Sequence, residues 1–355
     1  MKVRSVNDQD HRSQEAARAF VGRPVLVTGG ASFIGSHLVD ALVAAGAQVR
    51  VVDDLSSGKL ANISRHVDSS AIEFARGDLL DSAVAAEAVD GIHTVFHLAA
   101  NHGGRGYVDL HQGDCATNLL LDGAVFRACR LAGVEKVVYA SSGCVYPSHL
   151  QTDPTERLFL TEDQVGPPYD ADNMYGWAKL MGEFSLRALH QDFGRKSVSC
   201  RYFTVYGPRG HENHAVMAMI ARAFIRQDPF EVWGSGRQVR NWTYVSDIVD
   251  GTLRAAARID DARAVNLGTR GRIRVIDAVR LVLEVTGHRP EIRLRRDMPT
   301  GPKNRVADPS LAERLLNWTP RVRFEDGLRT TIDWYVSSHC RNDVVARLAH
   351  RLTER

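Results

Sequence analysis

PVLVTGGASFIGSHLVDALVAAGAQVRVVDDL, residues 24–55, decides the fold. It opens with a short apolar run, as expected of a strand buried on both faces. Glycines follow at 29, 30 and 35. Ile34, Leu38, Leu42 and Ala45 then recur at helical spacing, and Gly46 stops the helix. QVRVVDDL, 48–55, is a second apolar strand. Strand, glycine turn, helix and strand in that order form one βαβ unit.

The pattern repeats outward. Further strands are expected at 71–78 (AIEFARGD), 94–100 (TVFHLAA), 136–142 (KVVYASS), 197–203 (SVSCRYF) and 264–269 (AVNLGT), most of them separated by amphipathic helices. Such alternation predicts an α/β, Rossmann-type doubly wound parallel sheet. The regularity breaks after RYFTVYGPRG. Segments 209–245 and 270–335, rich in Gly, Pro, Trp and Arg, read as a smaller substrate-binding lobe over the carboxyl ends of the strands. The expected division is a dinucleotide-binding domain at 21–208, with 246–269 returning to it, this lobe, and tails at 1–20 and 336–355.

Composition narrows the function. The chain has 355 residues, 44% of them hydrophobic, and a net charge of only +3. Its basic residues are interspersed with acidic ones, which argues against a nucleic-acid face. Five cysteines (115, 129, 144, 200, 340) are odd in number and form no CxxC pair. A disulfide framework and a metal site are therefore not expected, and a reducing compartment is. No apolar run is long enough for a bilayer, and the polar N-terminus carries no signal-peptide segment. A cytoplasmic protein acting on a small molecule is expected.

The glycine turn is a dinucleotide signature. Gly29 and Gly30 allow the tight turn, and Gly35 the close packing of helix on strand. Ser32 occupies the usual place of a middle glycine; with Phe33 and Ile34 it opens the helix, whose amides and dipole suit a pyrophosphate. Asp53 and Asp54, about twenty residues on, suit the adenosine ribose hydroxyls and would repel a 2′-phosphate, so NAD is expected over NADP. Asp78, followed by Leu79, is placed either to meet the adenine or to cap a helix.

In DNMYGWAKLMGEF, Tyr175 and Lys179 stand four apart and share a helix face. A lysine beside a tyrosine is expected to lower the phenol pKa and make it a general base. Ser142, at the end of the strand 136–142, completes a set able to bind and deprotonate a hydroxyl.

TGGASFIG, HLAA, SS, YGWAK and RNWTYVSDIVDG together resemble the extended short-chain dehydrogenase/reductases that act on nucleotide sugars, over roughly residues 22–335. The resemblance implies that Tyr175 takes a proton from a sugar hydroxyl, usually at C4, while NAD accepts the hydride. It implies that Lys179 holds the nicotinamide ribose, Ser142 orients the oxygen, and Ala99 lies beside the cofactor. Arg240, with Arg305, would bind the substrate diphosphate. Thr204 replaces an asparagine frequent in the family. Members often pair as homodimers.

Within that family the residues after the serine pair sort the reactions. SSGCVYP, 141–147, has no Asp–Glu pair as in the sugar dehydratases, and instead presents Cys144. With the loop NHGGRGYV, 101–108, this is similar to two branches, the GDP-mannose 3,5-epimerases and the GDP-fucose synthases. That likeness places Gly103, Gly104 and Arg105 at the substrate. It makes Cys144 an acid/base working opposite His214, or His211 if the short loop is shifted. The expectation is a nucleotide-sugar epimerase, a GDP-sugar being favoured, which oxidises C4 transiently and inverts C3 and/or C5. An epimerase–reductase acting on a 4-keto sugar and a plain 4-epimerase stay open.

Overall fold

The apolar runs do pair side by side. In the computed structural model, which describes residues 16–351, seven strands form one parallel sheet. They are β1 (Pro24–Thr28), β2 (Gln48–Asp53), β3 (Ile72–Arg76), β4 (Thr94–His97), β5 (Lys136–Ser142), β6 (Lys196–Tyr202) and β7 (Asp261–Leu267). Their order is β7-β6-β5-β4-β1-β2-β3. The order reverses between β1 and β4, so connections leave these neighbours in opposite directions and open a crevice above their carboxyl ends.

Helices α1 (Phe33–Ala44), α2 (Ser82–Val89), α3 (Asn118–Leu131), α4 (Asn173–Phe193) and α6 (Val245–Arg258) cover the two faces, while α5 (Ala215–Phe224), α7 (Val275–Thr286), α8 (Phe324–Ser338) and α9 (Arg341–Arg351) belong to the C-terminal lobe. Side chains alternate across a strand, so β1 feeds two cores. Val25 and Val27 pack with Leu38, Leu42 and Ile248 on one face, while Leu26 packs with Val95, Val125 and Phe126 on the other.

A third core, containing Met217, Ile220, Phe230, Val279 and Leu328, belongs to the segments after residue 205. Two short sheets organise it. Phe230–Trp233 runs parallel to Ile292–Arg295, and Val239–Arg240 lies between Ile273–Arg274 and Asn304–Arg305. The last pairing puts Arg240 directly opposite Arg305.

Both expected tails contain core residues. Ala17 and Phe20 are buried, Phe20 edge-on to Phe96 at 5.4 Å. Val344 and Leu348, one turn apart on α9, are buried in the third core, so residues 341–351 continue that lobe. Residues 1–15 and 352–355 of these tails lie outside the described residues.

One buried ion pair pins α4 to the sheet. Arg201 of β6 donates from Nε and Nη2 to the two Glu183 oxygens at 2.9 and 2.8 Å, and Ser141 Oγ donates to Glu183 at 2.6 Å. Burial works to raise the Glu183 pKa, but the guanidinium outweighs it and holds the carboxyl below its usual value. Replacing Glu183 by Gln strands a cation in the core, which costs about 3–5 kcal/mol in comparable pairs. Urea unfolding should report a loss of that order; a loss below about 1 kcal/mol would mean the pair is dispensable.

Candidate active site

The crevice over β1 and β4 is a single cleft of about 520 Å³ between the sheet and the C-terminal lobe. The candidate catalytic, cofactor and substrate residues line it, from Gly29 through Arg305, while Gly30 lies behind the turn and does not.

At one end the backbone makes the walls. Gly29 has φ +69°, and a Cβ there would fall 2.9 Å from the Ala99 nitrogen. A Cβ on Gly35 would fall 2.2 Å from the Gly29 carbonyl oxygen. Ser32, Phe33 and Ile34 begin α1 at the cleft wall. Asp53 is buried, and its carboxylate accepts the amides of Ala31 (3.0 Å) and Leu55 (2.9 Å), which ties the glycine turn to the end of β2. Asp54 accepts the Ser56 amide at 2.8 Å. Asp78 accepts the Leu80 amide at 2.9 Å beside the buried Leu79. Capping of α2 falls to Asp81, which accepts the Ala83 amide at 2.8 Å, so the capping alternative for Asp78 is corrected.

α4 carries Tyr175 and Lys179 into the cleft, and β5 delivers Ser142. Ser142 hydrogen-bonds Tyr175, and its Oγ accepts the Cys144 amide at 3.1 Å. The Lys179 ammonium is buried without a hydrogen-bond partner, 4.6 Å from the Tyr139 ring centroid. An orphaned ammonium and a glycine turn packed too tightly for a Cβ at 29 or 35 are what a dinucleotide's ribose and phosphates require, so the residues present fit NAD.

The expected lowering of the Tyr175 pKa is corrected. Burial, and then the nearby Cys144, push the phenol well above its usual value, with the Ser142 bond pulling the other way. Lys179 is itself held below its ordinary value by burial, with Asp122 opposing. Asp122 accepts from the Tyr139 hydroxyl and bonds His97 Nε2 (3.0 Å), whose Nδ1 meets Thr28 Oγ1 (2.8 Å). Sequence reasoning missed this line, although a histidine inside the apolar strand TVFH was its signal.

Above the sheet, Asp172 gathers the cations. Its Oδ2 accepts from Arg105 Nη1 at 2.8 Å and from Arg305 Nη2 at 2.9 Å, while its amide donates to the Cys144 carbonyl at 2.9 Å. Burial opposes ionisation of Asp172, but Arg305 and Arg105 outweigh burial and hold its pKa below the usual value. Arg305 also donates from Nη1 to Cys144 Sγ at 3.1 Å and from Nε to Gln151 at 2.7 Å. Arg240 donates to the Val239 and Thr300 carbonyls, both at 2.9 Å; burial, then Arg305 and Arg105, push its pKa down to about 9. Arg105 also donates from Nε to Asp109 at 2.8 Å, so three guanidiniums face two carboxylates, a field that still favours a further anion. Thr204 adopts φ +25°, costly for a β-branched residue, and its carbonyl accepts the Thr243 amide at 3.1 Å.

His214 precedes the first residue of α5 at the cleft wall. Burial, then the neighbouring His211, push its pKa from the ordinary 6.5 down to about 4. Gly104 explains its approach, since a Cβ there would fall 1.6 Å from the Asn213 carbonyl oxygen, whereas a Cβ on Gly103 would meet Tyr107 at 2.6 Å. His102, not singled out from the sequence, lies between Tyr175 and His214 with centroid distances of 5.0 and 5.1 Å. Among the described residues, no group of three or more His, Cys, Asp or Glu is placed to hold a metal ion.

Two outcomes follow from this geometry. Gly35→Ala should give protein that loses its bound NAD on purification, read by absorbance and mass; full retention would contradict the cradle. The His214 pKa lies lower in the fold than the 6.5 of an ordinary imidazole, so an unfolded chain takes up the proton first as pH falls. His214 therefore removes stability between pH 6.5 and about 4. His214→Leu should flatten that part of the stability–pH curve, and an unchanged slope would contradict the burial argument.

Known proteins agree with this architecture. The NAD dependent epimerase/dehydratase family matches residues 25–268. Over 317 residues the chain is 30% identical to GDP-mannose 3,5-epimerase of Arabidopsis thaliana, covering 87% of this chain and 81% of that one. Over 322 residues it is 32% identical to an uncharacterized UDP-glucose epimerase of Bacillus subtilis, covering 88% and 98%. The structure of an epimerase from Methanothermobacter thermautotrophicus superposes with a TM-score of 0.81 at 32% identity, covering 92% of this chain and 95% of that one. The chain is an extended short-chain dehydrogenase/reductase and belongs to the NAD dependent epimerase/dehydratase family.

Proposed function

We propose that the chain is a nucleotide-sugar epimerase that oxidises C4 transiently and inverts C3 and/or C5 of a GDP-hexose of the GDP-mannose type. The observation that carries this reading is the Cys144 thiol held by Arg305 at 3.1 Å in the cleft that also holds Tyr175 and His214. Plain 4-epimerisation needs neither Cys144 nor His214. Reductive turnover with NADPH is disfavoured by the acids Asp53 and Asp54 at the ribose end.

In this reading the amides at Ser32, Phe33 and Ile34 hold the cofactor pyrophosphate, Asp53 and Asp54 the adenosine ribose, and Lys179 the nicotinamide ribose. Asp78, Leu79 and Ala99 flank the adenine half. NAD, when bound, takes the hydride from C4 and later returns it. Ser142 orients the C4 oxygen and, through its hydrogen bond, favours the phenolate form of Tyr175, which takes the hydroxyl proton. Arg240 attracts the substrate diphosphate, beside the irregular backbone of Thr204. Gly103, Gly104 and Arg105 wall the sugar.

A 4-keto group acidifies the hydrogens on C3 and C5. His214, neutral near pH 7, is ready to accept such a proton. Cys144 supplies one from the opposite face, and the charge left on sulfur meets Arg305. With the roles reversed at a second carbon, both groups return to their starting protonation, which favours double inversion. Each such group contributes about 10²–10⁴ in rate.

A homodimer is part of the proposal, supported by Leu120, Trp177 and Met181, exposed on the neighbouring helices α3 and α4. A cytoplasmic location is supported by five free cysteines. No helix among the described residues is long and apolar enough to cross a membrane.

Turnover of GDP-mannose in deuterated water tests the proposal. Deuterium should enter at C3 and/or C5 with inversion, and Cys144→Ala should lower incorporation at least about a hundredfold. Protein that retains NAD yet gives no incorporation, or deuterium-free inversion at C4 alone, would overturn it.

A further inference from the structure

We propose that Arg222, assisted by Glu231 and Gln238, reads the base of the bound nucleotide and selects guanine. The inference rests on the nucleotide-sugar reading and names the residues that choose among such substrates.

Arg222 lies on α5 within the sequence AVMAMIARAF, a lone cation in an apolar helix. It is only 5% exposed, yet its Nε and Nη2 are buried without a hydrogen-bond partner. Burial pushes its pKa down to about 10, with Glu231 the opposing charge. A cation buried without partners is costly unless a ligand completes it. Arg222 lines the cleft where the walls are Met219, Val232, Trp233, Val275 and Val279, all from the C-terminal lobe. Its guanidinium carbon stands 6.0 Å from the Trp233 ring centroid. Trp242, the other tryptophan of the cleft, is instead stacked on Phe324 at 5.2 Å.

The unpartnered atoms specify the ligand edge. Nε–H and Nη2–H of one guanidinium point the same way, as a two-donor fork. Guanine presents two adjacent acceptors, O6 and N7. Adenine offers N7 beside a donor amine, and a pyrimidine offers a single carbonyl in that position. The opposite edge of guanine carries N–H donors, and acceptors wait in the same cleft. Gln238 Oε1 is buried without a partner. Glu231 is anchored by Arg295 Nη1 at 3.0 Å and lines the cleft.

Calorimetric titration of the NAD-containing protein with GDP, UDP, dTDP and ADP tests this without turnover. GDP should bind at least about tenfold tighter than the others, and Arg222→Met should weaken GDP alone by about ten- to a hundredfold. Arg222→Lys, which keeps the charge but not the fork, should also lose the preference. Arg222→Met removes a buried unpaired charge, so its melting temperature should not fall, which separates lost recognition from lost folding. UDP or dTDP binding as tightly as GDP would overturn the guanine assignment and leave the nucleotide-sugar reading standing. Equal weakening of all four diphosphates in Arg222→Met would do the same, since it would place Arg222 at the phosphates. Failure of every diphosphate to bind would overturn both.

Discussion

The Asp172 carboxylate, buried between Arg105 and Arg305, is the constraint on which the site depends. It joins segments far apart in the chain: the short helix Arg105–Leu110, the turn before α4, the end of β5 through the Cys144 carbonyl, and the lobe strand Asn304–Arg305. Without this anion Arg240 and Arg305 would face one another uncompensated, and Arg105 would keep only Asp109. Pairing a buried charge is worth keeping mainly because breaking it is so costly. Here the same guanidinium that pairs with Asp172 also reaches the Cys144 sulfur, so the geometry of the thiol is inherited from the clamp.

Around that clamp the labour is divided. The parallel sheet supplies a rigid crevice with amides and glycines at one end. The C-terminal lobe supplies cations and an apolar slot at the other. Ser142, Cys144, Tyr175 and Lys179 stand where they meet, on the end of β5 and the first turns of α4. Close approach of those elements is required as well: a Cβ on Gly176 would lie 2.3 Å from the Cys144 carbonyl oxygen.

The fold could be read from residues 24–55 because period and glycine spacing are local properties. The same holds for Ser142, Tyr175, Lys179 and Cys144, whose neighbours along the chain carry the signal. What was hidden depends on tertiary placement. Asp172 looks like an ordinary helix-cap residue until Arg105 and Arg305 arrive from 67 and 133 residues away. Tyr175 was expected to have a lowered pKa, and burial moved it the other way; the burial that lowers His214 is likewise set by tertiary placement. Asp122, Tyr139 and His97 form the buried setting of Lys179, which no single stretch reveals. Arg222 was visible as a cation in an apolar helix, but only its unpartnered nitrogens give it a role.

In the proposed reaction Ser142, Tyr175 and Lys179 serve the oxidation at C4, and Cys144 moves a proton afterwards. Mixing GDP-mannose with NAD-loaded Cys144→Ala protein, and following nicotinamide absorbance with mass analysis of the sugar, separates the two stages. NADH and a 4-keto sugar should accumulate while inversion at C3 and C5 stalls. Inversion at the wild-type rate with no build-up of NADH would contradict it.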